Sequence, residues 1–322
     1  MMTPKQRMLT AMEGKPVDRV PVAFHKHFTD QTDNTVRETV EWTRATRSDM
    51  CLVATDGFYP LMSDTPLFFI EDWLKFRPYK KDHPYITIQC DRSKRIVDAL
   101  GDDSAVFQCT FTPLSHFKHT LDMGETIINE YWNTTKEELL QVLDVIEETT
   151  FVFLDELAKT GIDGMMVSLQ NAEKWRFPKD VYNEYIRPAD ERLLAYTKAR
   201  FPHIIEHLCS WETDDTNSCI NLDLFKDYEF ECVNWGVYQR ESMSMAEGKK
   251  YFNTKSVMGG FDRNSTGILW RGNEQQIKDF TTNLIRETGK DAFIISSDCS
   301  IIADTPIENL RWVVEASEAF EG

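Results

Sequence analysis

Three residues with soft ligand atoms stand in two places along this chain of 322 residues. His207 and Cys209 are separated by one residue, and Cys299 lies far beyond them. Each place closes a short apolar run, IIEHL at 204–208 and AFIISS at 292–297, that predicts a buried strand. Residues i and i+2 of a strand share a face, so His207 and Cys209 can bind one ion together. An imidazole and two thiolates suit zinc and leave a fourth position open for chemistry.

A structural interpretation of the same three residues is also possible. Cys209 and Cys299 would then be ordinary buried thiols, and His207 would be a hydrogen-bonded core histidine, as single residues of these types often are. The spacing alone leaves both interpretations open. What distinguishes them is whether the three side chains meet, and that depends on the elements that position them.

The composition predicts a soluble protein with a large core. Hydrophobic residues make up 41% of the chain, and no segment approaches the apolar length needed to cross a bilayer. Residues 1–19 lack the apolar stretch of a signal peptide, so we expect a cytoplasmic protein whose seven cysteines are reduced. The net charge of −17 disfavours nucleic acid and anionic membranes as partners, because a phosphate binder needs a basic surface.

An apolar, strand-like run followed by an amphipathic helical stretch recurs along the chain. The eight runs lie at 19–24, 50–55, 105–110, 164–169, 203–208, 230–235, 256–260 and 292–297. Eight such units over this length predict an α/β fold, a single (β/α)8 TIM barrel that spans residues 1–322. A doubly wound open sheet would need a glycine-rich phosphate turn after the first strand, and residues 24–30 contain no glycine.

The connection between the second and third predicted strands, at about 57–104, is long and should contain helices near 68–76 and 91–100. In a barrel, such an excursion would fold over the C-terminal end as a partial lid, or it would form the contact of a homodimer. The sequence leaves both roles open.

Polar residues that follow the strands are candidates for the site, because the carboxyl ends of the strands form the active site of a (β/α)8 barrel. The substrate-binding candidates are His25, His27, Asp56, Gln170, Asn171, Asn234, Trp235, Tyr238, Asp262 and Asp298. His207, Cys209 and Cys299 close the fifth and eighth strands, whose ends can meet across the narrow mouth of a barrel. Packing is an equal alternative for Trp235 and Tyr238.

Four stretches of the chain resemble the uroporphyrinogen decarboxylase superfamily from end to end. They are TPKQRMLTAMEGKPVDRVPV at 3–22, RFPKDVYNEYIR at 176–187, GGFD at 259–262 and DCSIIADTPIENLRWV at 298–313. The true decarboxylases of that superfamily bind an acidic tetrapyrrole through arginines of an early R-Q-A-G-R-Y-type motif. This chain has HKHFTD at 25–30 instead. The resemblance implies a TIM barrel, and the reaction depends on which branch of the superfamily the chain is similar to.

The other branch resembles the methylcobalamin:coenzyme M methyltransferases, which carry zinc on H-x-C and a distant cysteine. His207, Cys209 and Cys299 fall on those positions. The resemblance therefore implies a zinc-dependent, corrinoid-dependent methyltransferase with these three residues as metal ligands and catalytic groups. Its co-substrate would be methylcobalamin on a separate corrinoid protein. The methyl donor or acceptor would be a small-molecule thiol, methoxy compound or methylamine.

Two features leave the substrate and the fourth zinc ligand open. Several relatives have a glutamate where this chain places Asn234 and Trp235, so the fourth ligand could be water, substrate, Asp298 or Glu206. The aromatic residues near the strand ends favour a flat or quaternary-ammonium substrate; they are Trp211, Trp235, Tyr238 and Phe261. A small anionic thiol would need a cation, for which Arg263 is the candidate. A decarboxylase of a tetrapyrrole or small carboxylic acid is the alternative function.

Overall fold

A parallel sheet of seven strands, neighbouring one another in chain order, forms the centre of the protein. The computed structural model describes residues 1–28, 30, 32–53, 69–120, 125–209 and 219–321, without the side chains of 125–127. The strands are β1 Met50–Val53, β2 Ala105–Phe111, β3 Gly164–Leu169, β4 His203–Leu208, β5 Glu229–Trp235, β6 Asn253–Phe261 and β7 Phe293–Ser297. Seven of the eight predicted runs are therefore strands.

The first predicted run, at 19–24, does not form a strand. Val22 makes one isolated parallel bridge with Ile295 of β7, and the peptide N–H of Asp49 donates to the carbonyl of Val22 over 2.8 Å. The preceding Pro21 has no N–H, so it cannot extend a ladder. The sheet is a curled half-barrel of seven strands, consistent with a TIM-like barrel, and the predicted eighth strand is reduced to this bridge.

Helices alternate with the strands, and most of them cover the outer face of the sheet. They are α1 Pro4–Met12, α2 Asn34–Thr46, α3 Ile70–Trp73, α4 Pro84–Leu100, α5 Pro113–Thr120, α6 Glu125–Thr134, α7 Lys136–Leu157, α8 Lys179–Val181, α9 Arg187–Lys198, α10 Met245–Tyr251, α11 Ile268–Arg271, α12 Glu274–Thr288 and α13 Ile307–Glu318. A π-helical turn, Tyr182–Ile186, joins α8 to α9, because Pro188 has no N–H for the carbonyl four residues earlier. None of the described helices combines the length and apolar character of a membrane span.

Alternation along the strands separates two apolar cores. The inner core lies within the curl, where α1 closes the N-terminal end; it includes Met8, Met12, Phe107, Met166, Ile205, Cys232 and Met258. The outer core lies between sheet and helices; it includes Val106, Val167, Leu208, Val233, Trp235, Val257 and Phe293. His207 lies two residues after Ile205 on the same strand, so its side chain faces the inside of the curl.

The described part of the predicted excursion belongs to the helical layer. Helix α4 packs against α2, α7 and β2, and its residues Ile86 and Ile96 are buried in the outer core. Residues 54–68 lie outside the described part of the chain. A lid or dimer contact from the excursion therefore stays a prediction.

Candidate metal centre

The three predicted metal ligands meet at the C-terminal end of the strands. His207 of β4 is in register with Ser168 of β3 and Asn234 of β5. The peptide N–H of Cys209 donates to the last carbonyl of β3 over 3.0 Å, so Cys209 continues the line of the strand. Cys299 lies in the loop after β7. The ligand atoms of His207, Cys209 and Cys299 all lie within 4.8 Å of one another.

These distances fit a single zinc ion. The Sγ atoms of Cys209 and Cys299 are 3.9 Å apart, and two thiolates on a tetrahedral zinc with usual Zn–S bonds are ~3.8 Å apart. Nε2 of His207 is buried and lies on the side of the ring that contacts Cys299. Imidazole and thiolate are also the ligand types that zinc prefers. The chain's own residues therefore fit the ion.

The other ring nitrogen of His207 is held by an amide. Nδ1 of His207 and Oδ1 of Asn234 are 2.5 Å apart. Asn234 was predicted to bind substrate, but its side chain is fully buried and its amide also contacts two backbone carbonyls. Asn234 therefore contacts the metal centre through the ring of His207 and does not face the open coordination position.

The two thiols of the centre influence each other's ionisation. The hydrogen bond from the Cys209 thiol lowers the pKa of Cys299 well below its ordinary value, and His207 and Arg263 lower it further. The same contact with Cys299 raises the pKa of Cys209, against the charges of Arg263 and Lys118, which lower it. The first thiolate of the pair is therefore stabilised by the remaining thiol and by His207 and Arg263.

Lys118 is a site residue that the sequence reasoning missed. Its side chain in α5 is fully buried, and its charge acts on Cys209 and on His119. Burying a charged lysine side chain costs free energy unless the charge is paired and hydrogen-bonded. The signal was present, because Lys118 lies four residues after Leu114, on the apolar face of a short helix.

His25 lies beside the ligands, and its neighbour His27 is exposed. The peptide N–H of Ile301 donates to the carbonyl of His25 over 2.9 Å, which ties this segment to the loop that carries Cys299. Burial lowers the pKa of His25 to about 3, although the charge of Cys299 raises it. His25 is therefore neutral beside the thiols.

Gln170 and Asn171, which follow β3, are both buried. Nε2 of Gln170 donates to Oγ of Ser168 over 3.3 Å, and Nδ2 of Asn171 donates to Oγ of Ser115 over 3.1 Å. The side-chain oxygen of Asn171 has no hydrogen-bond partner among the described residues, whereas Gln170 makes a side-chain hydrogen bond with His119. Asn171 has a φ of 67°, in the left-handed region that asparagine tolerates. Each amide is thus held through its nitrogen, and the oxygen of Asn171 stays an acceptor.

Asp298 and Tyr238 lie together next to Cys299. Oδ2 of Asp298 accepts the peptide N–H of Tyr238 over 3.0 Å. Burial raises the pKa of Asp298 to about 7, and the charges of Asp262 and Cys299 raise it further. Asp262 itself accepts from the peptide and side-chain N–H groups of Asn264, both over 2.8 Å. Oδ1 of Asp298 has no partner among the described residues, so this carboxyl is still able to bind a ligand.

Two of the aromatic residues expected near the strand ends, Trp235 and Phe261, pack in the outer core. Trp235 is fully buried in the outer core, where its indole N–H donates to the carbonyl of Met243 over 3.1 Å. Phe261 is fully buried in the same core. Two other candidates, Asp56 and Trp211, lie outside the described residues. Trp235 directly follows the inward-facing Asn234 along β5, so its side chain points to the outer face of the sheet.

Glu206, one candidate for the fourth ligand, also faces outward. Its carboxyl group accepts the peptide N–H groups of Glu231 and Cys232, each over 3.1 Å. Nζ of Lys198 is 3.9 Å away. Glu206 is therefore occupied on the opposite face of the sheet from His207.

Comparison with known proteins gives one family match and several similar folds. The family model described as Uroporphyrinogen decarboxylase (URO-D) matches residues 48–320. A methyltransferase from Methanosarcina mazei is similar with a TM-score of 0.72, at 16% identity, over 99% of both chains. A putative vitamin-B12 independent methionine synthase from Listeria monocytogenes gives 0.50 at 11% identity, over 95% of this chain and 97% of that chain.

An endo-beta-1,4-mannanase from Thermotoga petrophila gives a TM-score of 0.51 at 8% identity, over 96% of this chain and 79% of that chain. The search of curated protein sequences gave no match. At these identities, the structural likeness shows the fold alone, since one barrel fold supports many unrelated reactions.

Proposed function

This chain belongs to the uroporphyrinogen decarboxylase family, and we propose that it is a zinc-dependent methyltransferase of a corrinoid methyl-transfer system. The observation that carries the proposal is the convergence of His207, Cys209 and Cys299, with all ligand atoms within 4.8 Å. Methyl transfer to or from a corrinoid needs an activated nucleophile or leaving group, and a soft metal site supplies one. The fold shared with the methyltransferase from Methanosarcina mazei supports this proposal.

The chain's residues would set the charge of the centre. Zinc held by His207, Cys209 and Cys299 would keep a substrate thiol deprotonated near neutral pH, or polarise a methoxy or methylamine substrate as a Lewis acid. The two thiolates and the neutral imidazole offset the double charge of the ion, so a fourth, substrate-derived ligand stays electron-rich. That balance suits attack on an electrophilic methyl group.

The charges around the centre favour an anionic substrate. Lys118 and Arg263 both act electrostatically on Cys209, whereas Trp235 and Phe261 pack in the outer core. Tyr238 is the described member of the aromatic set with a large exposed surface. We therefore favour an anionic thiol as methyl acceptor over the flat or quaternary-ammonium substrate that the aromatic content suggests.

The methyl carrier in this proposal is a separate corrinoid protein or free methylcobalamin. The sequence has no D-x-H-x-x-G cobalamin motif. The carrier would dock over the C-terminal end of the strands, where the metal centre lies.

A spectroscopic assay tests this function. The protein is mixed with methylcobalamin and a panel of neutral and anionic thiols, and with cob(I)alamin and a panel of methoxy and methylamine donors. We expect a change in the visible corrinoid spectrum, strongest with an anionic thiol. Cys299→Ser should abolish it, and Cys232→Ser, which alters a buried thiol of the inner core, should retain it. No change with any member of either panel would contradict the proposal.

The same cations favour one second candidate, a decarboxylase of a tetrapyrrole or small carboxylic acid. A decarboxylase must hold carboxylates, and Lys118 and Arg263 are cations beside the centre. It needs no metal. Carbon dioxide release from a carboxylated tetrapyrrole that persists in Cys299→Ser, without any corrinoid change, would assign the chain to this reaction.

A further inference from the structure

The amide of Asn234 is held in one orientation by its surroundings. Asn234 lies in the inner face of β5, in register with His207 and Met258. Its Nδ2 donates to the carbonyl of Met258 over 2.8 Å and to that of Ser297 over 3.2 Å. A flipped amide would place Oδ1 against two carbonyl oxygens with no hydrogen between them. Both amide hydrogens are therefore used, and Oδ1 faces His207.

That orientation determines which nitrogen of His207 carries the proton. Oδ1 of Asn234 is an acceptor and lies 2.5 Å from Nδ1 of His207, so Nδ1 must donate. The lone pair of the neutral ring is then on Nε2, the nitrogen that faces the two cysteine sulfurs. We infer that Asn234 is a positioning residue that holds His207 in the zinc-binding tautomer and so sets the affinity of the centre. This inference rests on the zinc site proposed above.

An amide in this place has consequences that a carboxylate would not have. Asn234 is neutral, so it orients the imidazole without adding negative charge to a centre that already holds two thiolates. Its oxygen is engaged by His207 and its nitrogen by two carbonyls. Asn234 is therefore unable to act as a metal ligand itself. The fourth ligand would then be the substrate or a group from another strand.

Two substitutions separate the tautomer role from simple packing. Asn234→Ala removes the acceptor for Nδ1 and both donors to the carbonyls, whereas Asn234→Asp keeps the acceptor and loses the donors. We expect zinc affinity, measured by competition with a chromogenic chelator, to fall about 10- to 100-fold in Asn234→Ala. In Asn234→Asp it should stay within a few-fold of wild type. Equal weakening in both variants would overturn the inference, because loss of the carbonyl contacts would then explain the effect.

A matched control is available in the helical layer. Nδ2 of Asn309 also donates to two backbone carbonyls, those of Leu269 at 2.9 Å and Trp270 at 3.5 Å. Asn309→Ala should lower the melting temperature and leave zinc affinity unchanged. The visible spectrum of the Co²⁺-substituted protein should change in Asn234→Ala and stay as in wild type in Asn309→Ala. A Co²⁺ spectrum unchanged in Asn234→Ala would overturn the inference.

A direct measurement on the wild-type protein guards against variants that do not fold. The ¹⁵N shift of Nδ1 in ¹⁵N-histidine-labelled, metal-free protein should be that of a protonated ring nitrogen, and an unprotonated Nδ1 on His207 would overturn the inference. Failure of the proposed function looks different, because wild type would then bind neither zinc nor Co²⁺. If wild type binds zinc and Asn234→Ala binds it as tightly, the role of Asn234 alone is contradicted.

Discussion

The two ends of the curled sheet hold polar side chains in opposite ways. At the base, the N-terminal end of the strands, Asp49 is fully buried and both of its oxygens are engaged. They accept from Arg7 at 2.7 Å, from Arg19 at 2.8 and 3.1 Å, and from the peptide N–H of Val22 at 2.8 Å. At the rim, the C-terminal end, several buried polar atoms have no partner among the described residues; they include His25 Nδ1, Asn171 Oδ1 and Asp298 Oδ1.

This contrast indicates that the base of the sheet contributes mainly to stability and that the rim contributes mainly to binding and catalysis. A buried charge is tolerated when its partners are in place, as they are around Asp49. Buried polar atoms that the protein itself leaves unsatisfied reduce stability, and they are useful where a metal ion or substrate can satisfy them. Substitutions at the base should therefore change folding, and substitutions at the rim should change binding and turnover.

Asp49→Ala should give the largest change in stability. It leaves the buried guanidinium group of Arg7 and the partly buried one of Arg19 without their shared carboxylate, which costs about 3–5 kcal/mol of unfolding free energy. Urea unfolding measures this loss. Activity per folded molecule should be unchanged, because Asp49 lies at the opposite end of the strands from the metal centre.

His207→Ala is the counterpart of that substitution at the rim. It should abolish activity and weaken zinc binding, while the unfolding free energy falls by only about 1–2 kcal/mol through loss of the hydrogen bond to Asn234. Circular dichroism and thermal melting follow the fold. A larger loss of stability in His207→Ala than in Asp49→Ala would reverse the comparison.

Glu206→Gln tests the protonation state of a buried acid that lies between the base and the rim, on the outer face of the sheet. Burial raises the pKa of Glu206 to about 8, although Lys198 and the peptide N–H groups of Cys232 and Glu231 lower it. The unfolded chain ionises near the ordinary pKa, about 4.3, while the folded protein keeps the proton. Stability present at low pH is therefore lost as pH rises toward 8, by up to about 1.4 kcal/mol per pH unit for this group.

The measurement is the unfolding free energy of wild type and Glu206→Gln at pH 5, 6 and 7. The variant lacks this carboxyl, so its stability relative to wild type should increase with pH. Asp190, whose pKa burial raises to about 8, is present in both proteins and cancels in the comparison. Parallel pH dependences would show that Glu206 is ionised in the folded protein.

Trp235→Phe should give the smallest effect. It removes the hydrogen bond from the indole N–H to the carbonyl of Met243, worth about 1 kcal/mol. Because Trp235 packs in the outer core, its substitution should leave KM and kcat close to the wild-type values. A several-fold increase in KM would instead place Trp235 at the substrate, as its position near a strand end first suggested.

Much of the fold was accessible from sequence because buried parallel strands give continuous apolar runs. The runs from 50–55 onward correspond to β1–β7, and the meeting of Cys209 with Cys299 follows from strand ends converging at one rim. The first run, at 19–24, was predicted to be a full strand but forms a single bridge, between Val22 and Ile295. Its apolar residues are those of a strand, but Pro21 interrupts the N–H ladder that a strand needs.

The parts that sequence did not reveal depend on which face of a strand or helix is buried. Both faces of these strands are apolar, so no pattern distinguishes the inward His207 from the outward Trp235. The hydrogen bonds of Asn234 require carbonyls from two other strands. These are tertiary facts without a local signature of their own.

Metal analysis of the purified protein tests the central claim most directly. The account predicts one zinc ion per chain, because two thiolates and an oriented imidazole form a preorganised soft site. Cys209→Ser and Cys299→Ser should each lose the metal, and Cys232→Ser should keep it. Stoichiometric zinc that persists in both Cys209→Ser and Cys299→Ser, or wild-type protein that binds no zinc, would contradict the account.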